Sequence, residues 1–215
     1  MLLGAALSED DIAEGCRLAR EYRVRSVLVR PSDVDQAVRI LDGSGVIVSA
    51  AVGWPDGSGS TGAKLYEGRD VLRRGAREID WTINIGKMIS RQFQYVEMEL
   101  IQMAKSCAEN EAQLKVHLGS EYLADDLKII ACKIAKRVEA SYLGVDYSLQ
   151  TIALLQPLLK DRIALKVTTN VHSIAQVLEL RDAGCQRIAT TETAAILEDW
   201  KTPLAQAESG YAAEG

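Results

Sequence analysis

Four polar side chains stand where apolar ones would be expected. Asp80 lies in IDWTINI (79–85), Lys115 and His117 in QLKVHL (113–118), and Lys166 in RIALKVT (162–168). Each segment is short, rich in β-branched residues and bounded by polar or turn-forming stretches, which reads as a strand. Side chains alternate along a strand, so residues two apart share a face. On that spacing Asp80 goes with Thr82 and Asn84, Lys115 with His117, and Lys166 with Ala164 and Thr168. Tyr142, Gly144 and Asp146 form a further set. An ammonium or carboxylate inside an apolar strand is destabilising unless paired. Asp80, Lys115 and Lys166 are therefore expected to make one buried charged network. Such a network, with His117 near it, suits general acid, general base and electrostatic work on a carbonyl compound. The blander alternatives are a structural ion pair, a snorkelling Lys115 and a core histidine. Trp54, beside Pro55 at a strand end, reads as a pocket wall.

Other chemistries find little support. The chain has 2 histidines and 4 cysteines, with no CxxC or CxxxC pair, so no metal site is expected. Cys16, Cys107 and Cys132 fall in helical patterns and Cys185 near a strand, all as packing groups. A net charge of −5 and no basic stripe argue against nucleic acid. Arg69, Arg73, Arg74 and Arg77 are interleaved with acids and read as a solvated helix face. No apolar run approaches the ~20 residues of a membrane span, and no signal peptide is evident, so a cytoplasmic location is expected. No cofactor is expected; the expected partner is a small-molecule substrate, with a homo-oligomer, such as a homodimer, as the assembly considered.

The elements that must position these residues alternate. Strand candidates are 25–30, 46–52, 79–85, 113–118, 140–145, 162–168 and 186–190. Helical patterns lie near 9–22, 32–42, 61–76, 88–110, 121–138, 147–159, 171–183 and 192–200, several opened by cap-like Ser8, Ser32 and Ser120. Near-continuous apolar strands alternating with helices predict a parallel α/β sheet covered by helices. A (β/α)₈ TIM barrel is the natural closure, with Met1–Ala5 as a short or truncated first strand; an open doubly wound sheet also fits the pattern. Residues 1–200 are expected to form one barrel domain, and 201–215 a flexible tail.

Four segments together resemble the deoxyribose-phosphate aldolase family: SAAVGWPDG (49–57), GAREIDWTINIGKM (75–88), LKVHL (114–118) and IALKVTTNV (163–171). The resemblance runs in order from SEDDI (8–12) to GCQRIATTE (184–192) and implies a (β/α)₈ barrel. It also implies that Asp80 and Lys166 match residues that assist proton transfer. The family's sixth strand carries a Schiff-base lysine in Phe-x-Lys-Thr-Ser. Here the matching stretch is Tyr142-Leu143-Gly144-Val145-Asp146, with Gly144 at the lysine's place. The glycine loops that receive a sugar phosphate are replaced by Tyr147-Ser148-Leu149 and Thr168-Thr169-Asn170. The sequence therefore predicts a diverged lyase acting on a small non-phosphorylated carbonyl substrate, by aldol, retro-aldol, dehydration, isomerisation or cyclisation chemistry. Catalytic candidates are Asp80, Lys166, Lys115 and His117. Substrate-binding candidates are Asn84, Trp54, Tyr142, Gly144, Asp146 and Thr168. The alternatives are a relocated Schiff base on Lys166 and a non-catalytic ligand-binding barrel.

Overall fold

The computed structural model describes residues 1–159 and 162–201; from residue 202 on, the tail expected at 201–215 lies outside them. Among the described residues, seven parallel strands follow one another in the sheet in chain order. They are β1 (Ser26–Val29), β2 (Ile47–Val52), β3 (Glu78–Thr82), β4 (Gln113–His117), β5 (Tyr142–Val145), β6 (Ala164–Val167) and β7 (Arg187–Ile188). A doubly wound sheet would reverse its strand order at a switch point. This one never does, which removes the open-sheet alternative. The sheet curls: Arg187 Nη1 on β7 donates to Ser26 Oγ on β1 at 2.8 Å. Leu2 forms a parallel bridge with Val29, and the Met1 amine donates to the Thr190 carbonyl at 2.6 Å.

Helices cover the outer face because each presents one apolar stripe. In α1 (Glu9–Glu21), Ile12, Cys16 and Ala19 are buried at helical spacing, and Ser8 and Asp11 close a capping box. The remaining layer comprises α2 (Val34–Leu41), α3 (Thr61–Arg73), α4 (Ile85–Ile89), α5 (Phe93–Glu109), α6 (Asp125–Arg137), α7 (Leu149–Leu159), α8 (Ile174–Asp182) and α9 (193–201). The single helix expected over 88–110 is instead two. Arg91 turns left-handed at φ 57°, and the amides of Arg91 and Gln92 close α4 on the Met88 and Lys87 carbonyls. The arginine cluster is only partly a solvated face: Arg74 is half-buried, bonded to Asp35 and Asp70, and Arg69 donates to Ser106. All four cysteines are buried free thiols.

One ion pair in the helix layer escaped the strand-centred reading. Lys64 Nζ meets Glu99 Oε2 at 2.9 Å and lies 4.4 Å from the Trp81 ring centre. Both charged side chains are at most 2% exposed. The Lys64 stem packs on Gly53 and Gly59, at the two ends of the loop that carries Trp54. Gly57 in that loop (φ 68°) runs against the Ile83 carbonyl, where a Cβ has no room. Lys64→Met should leave Glu99 buried without a counter-charge and destabilise the fold by about 3–5 kcal/mol. Urea unfolding checks this, and Lys64→Met/Glu99→Leu should recover much of the loss.

Candidate active site

The inward faces of the strands carry a second set of buried polar residues. Asp80 on β3 is in register with Lys115 on β4, and Gly144 on β5 with Lys166 on β6. Lys166 Nζ pairs with Asp80 Oδ1, while Lys115 Nζ stands 3.3 Å from Asp80 Oδ2. Ser49 Oγ donates to the same Asp80 oxygen at 2.7 Å. Lys115 also pairs with Glu78, whose other oxygen takes Arg187 Nη2 at 3.2 Å. Three cations thus share two carboxylates, all within the curl of the sheet. Burial would push the Asp80 carboxyl up, but Lys166 and Lys115 outweigh it and hold the group well below the usual carboxylate range. Burial, aided by the Lys115 charge, lowers the Lys166 amine below an ordinary lysine despite Asp80.

Towards the carboxyl ends of the strands the network meets a narrow space of about 10 Å³, lined by Asp80, Thr82, His117 and Thr168 among others. Beyond it opens a cavity of about 280 Å³, whose walls include Trp54, His117, Glu121, Tyr122, Asp146 and Thr169. The indole of Trp54 tilts over the His117 ring, with centres 5.5 Å apart. His117 Nδ1 faces Thr168 Oγ1 at 3.3 Å, and Nε2 lies 4.0 Å from Asp146 Oδ1. Thr168 donates its hydroxyl to the Val145 carbonyl at 3.3 Å. In the tautomer that carries its proton on Nδ1, His117 donates to this hydroxyl and the Nε2 lone pair is free. Burial is the main cause that lowers the imidazole's pKa from 6.5, so the ring is neutral at neutral pH. A Cβ built on Gly144 would stand 3.3 Å from both Cα and Nδ1 of His117. A side chain at 144 would therefore press on His117, which would have to give by a few tenths of an ångström.

The chain as a whole is similar to one family of known proteins. No family model matches the chain. A deoxyribose-phosphate aldolase from Bacteroides thetaiotaomicron is 31% identical over 199 residues, 89% of this chain and 84% of that protein. The chain belongs to the deoxyribose-phosphate aldolase family. A second relative of that name, from Treponema denticola, is 30% identical over 91% of this chain and 94% of its own length. A tetrameric deoxyribose phosphate aldolase from Aeropyrum pernix superposes with a TM-score of 0.86 at 23% identity, covering 94% of this chain and 88% of that one. A further solved aldolase gives 0.87 at 25% identity, covering 92% and 91%. Membership makes this chain an enzyme of the aldolase, hence lyase, type.

Within this aldolase-family fold the candidates divide. Asp80, Lys115 and Lys166 come together in the network; Trp54, His117, Asp146 and Thr168 gather at the mouth. Tyr142 does not reach the mouth. It lies one inward position before Gly144 on β5, its hydroxyl accepts from Arg187 at 3.2 Å, and it belongs to the deep end of the network. Asn84 also stands apart: β3 ends at Thr82, and the Asn84 carboxamide accepts from the Lys87 amide at 3.0 Å to cap α4. The sequence reading missed Glu78 and Arg187. Glu78 lies two residues before Asp80 and so on the same face, and that alternation could have found it. Arg187 sat in a segment read as an ordinary strand. Ser120, in a short 3₁₀ turn, and Thr169, in a loop, bind Asp146 from segments whose path no periodicity reveals.

Proposed function

We propose that this chain performs acid–base carbonyl chemistry on a small non-phosphorylated substrate, without a Schiff base on the sixth-strand position. The observation that carries the reading is the tight packing of His117 against Gly144. Where the family resemblance puts an amine nucleophile, a neutral imidazole presents a free Nε2 to the cavity. In a retro-aldol cleavage, Nε2 takes the proton of a β-hydroxyl, and the Cα–Cβ bond breaks to give an aldehyde and an enolate. The enolate charge develops beside the Asp80–Lys166 network, which holds three cations against two carboxylates and so favours a negative oxygen. The imidazolium then returns the proton to the enolate carbon. Dehydration, isomerisation and cyclisation need the same proton transfers. Trp54, Asp146 and Thr168 hold the substrate in this reading.

The wider architecture follows from the same view. One barrel over residues 1–200 would use the Leu2 stub as its short first strand, supported by the Leu2–Val29 bridge. A cytoplasmic homo-oligomer, such as a homodimer, is in keeping with this reading; among the described residues no helix is long and apolar enough to cross a membrane. A second reading has its own support. Lys166 and Lys115 also line a cavity of about 230 Å³ between β1, β7 and α9, where a lowered amine could form a relocated Schiff base.

Solvent deuterium exchange into the α-carbon of hydroxyacetone, followed by NMR, tests the proposal. We expect exchange by the full chain, its loss in His117→Gln, and no adduct on Lys166 with borohydride and hydroxyacetone by mass spectrometry. Deoxyribose 5-phosphate should not be cleaved above a Lys166→Ala control. An adduct on Lys166 would restore the relocated aldolase, and exchange unaffected by His117→Gln would remove the acid–base reading.

A further inference from the structure

The charge of the mouth cavity points to the substrate's chemical class, an inference that rests on the acid–base reading above. The Asp146 carboxylate is held by neutral donors: the Ser120 hydroxyl at 3.1 Å, the Thr169 hydroxyl at 3.0 Å and the Glu121 amide at 3.3 Å. Glu121 adds a second carboxylate on the same wall, bonded to the Tyr122 phenol, whose pKa it raises. Among the described residues no lysine or arginine lines this cavity, and none forms an ion pair with Asp146 or Glu121 within 4.0 Å. The nearest titratable partner of Asp146 is His117, which burial keeps neutral.

Two further observations point to a ligand. His117 is only 5% exposed, yet its Nε2 faces the cavity with no hydrogen-bond partner among the described residues. Trp54 and Tyr122, 42% and 63% exposed, are large aromatics stranded at the rim of this same cavity. Exposed aromatic faces beside uncompensated carboxylates attract a cation by quadrupole and by charge. A phosphate or carboxylate would meet like charge on the same wall. A volume of about 280 Å³ suits a ligand of a few heavy atoms.

We propose that the substrate is a small carbonyl compound bearing a protonated amine. The ammonium sits between Trp54, Tyr122, Glu121 and Asp146, and the reacting carbons lie against His117. Recognition of the substrate's far end has thereby changed sign relative to a phosphate ester.

Isothermal titration of the full chain with aminoacetone, hydroxyacetone and dihydroxyacetone phosphate tests this. The three ketones share a carbonyl and differ mainly in charge. Aminoacetone should bind tightest and the phosphate weakest. Glu121→Gln should weaken aminoacetone by up to about fivefold, as expected for an exposed charge pair. Asp146→Asn should weaken it by about tenfold or more, since this carboxylate is largely buried. Glu121→Gln should leave hydroxyacetone binding unchanged, and Asp146→Asn should weaken hydroxyacetone by clearly less than it weakens aminoacetone. Aminoacetone binding no tighter than hydroxyacetone, or unchanged in both variants, overturns the inference, as does an equal loss for all three ketones. Because binding is read without turnover, a failed deuterium exchange would strike the acid–base reading and leave this result standing.

Discussion

Lys166→Met and Asp80→Asn should each lower α-proton exchange by about 10²–10³-fold, the size expected when one preorganised electrostatic group is removed. The two should part company in stability. The described network sets Lys166, Lys115 and Arg187 against Asp80 and Glu78. Removing the Lys166 ammonium leaves two cations and two carboxylates, with Lys115 still 3.3 Å from Asp80. Lys166→Met should therefore fold with nearly unchanged stability. Removing the Asp80 charge leaves three cations and one carboxylate, with Lys166 buried beside a neutral amide. Asp80→Asn should destabilise by about 3–5 kcal/mol, the range for breaking one side of a buried pair. Urea unfolding and NMR exchange on the same preparations separate the two effects. The double variant should lose little more activity than either single one, because the residues act as a unit. A stable, inactive Lys166→Met places the lysine in the chemistry. A destabilised, active one returns the pair to a structural role.

The same residues explain how far the sequence could be read. Strand identity was legible because apolar runs are short and bounded, and period-two alternation brought Asp80, Lys115, His117 and Lys166 to one side. Sequential strand order could not be derived from the pattern, since a doubly wound sheet has the same alternation. Boundaries failed where tertiary closure intervened: Asn84 looked like the end of a strand and is a helix cap, and Arg91 breaks a run whose periodicity continues through it. Glu78 was legible and overlooked, whereas Arg187 reaches it across 109 residues of sequence. The Lys64–Glu99 pair joins two helices whose contact depends on how they pack on β3. Local spacing carries no signal for either.

His117→Gln should have the largest effect on turnover, about 10²–10⁴-fold, as for loss of a positioned general base. Glutamine keeps a polar group of similar reach, so the Thr168 contact can persist while the base is lost. The pH profile supplies the sharper readout. Burial lowers the imidazole's pKa from 6.5, with Lys166 adding to the effect and Asp146 opposing it. The working form is the neutral base, so kcat/KM should be flat across neutral pH. It should fall only as pH drops through a value below 6.5, where His117 takes its proton. An acid limb above 6.5 would contradict this assignment, as would one that survives in His117→Gln. Gly144→Ala offers an independent check, because its new Cβ would crowd the His117 backbone Cα at 3.3 Å, and a backbone atom yields less readily than a side-chain tip. It should lower turnover and move the acid limb, since the imbalance between burial and Asp146 that sets the imidazole's pKa depends on where the ring sits. Unchanged turnover and an unchanged acid limb in Gly144→Ala would mean that the ring's fit against position 144 has no bearing on the chemistry.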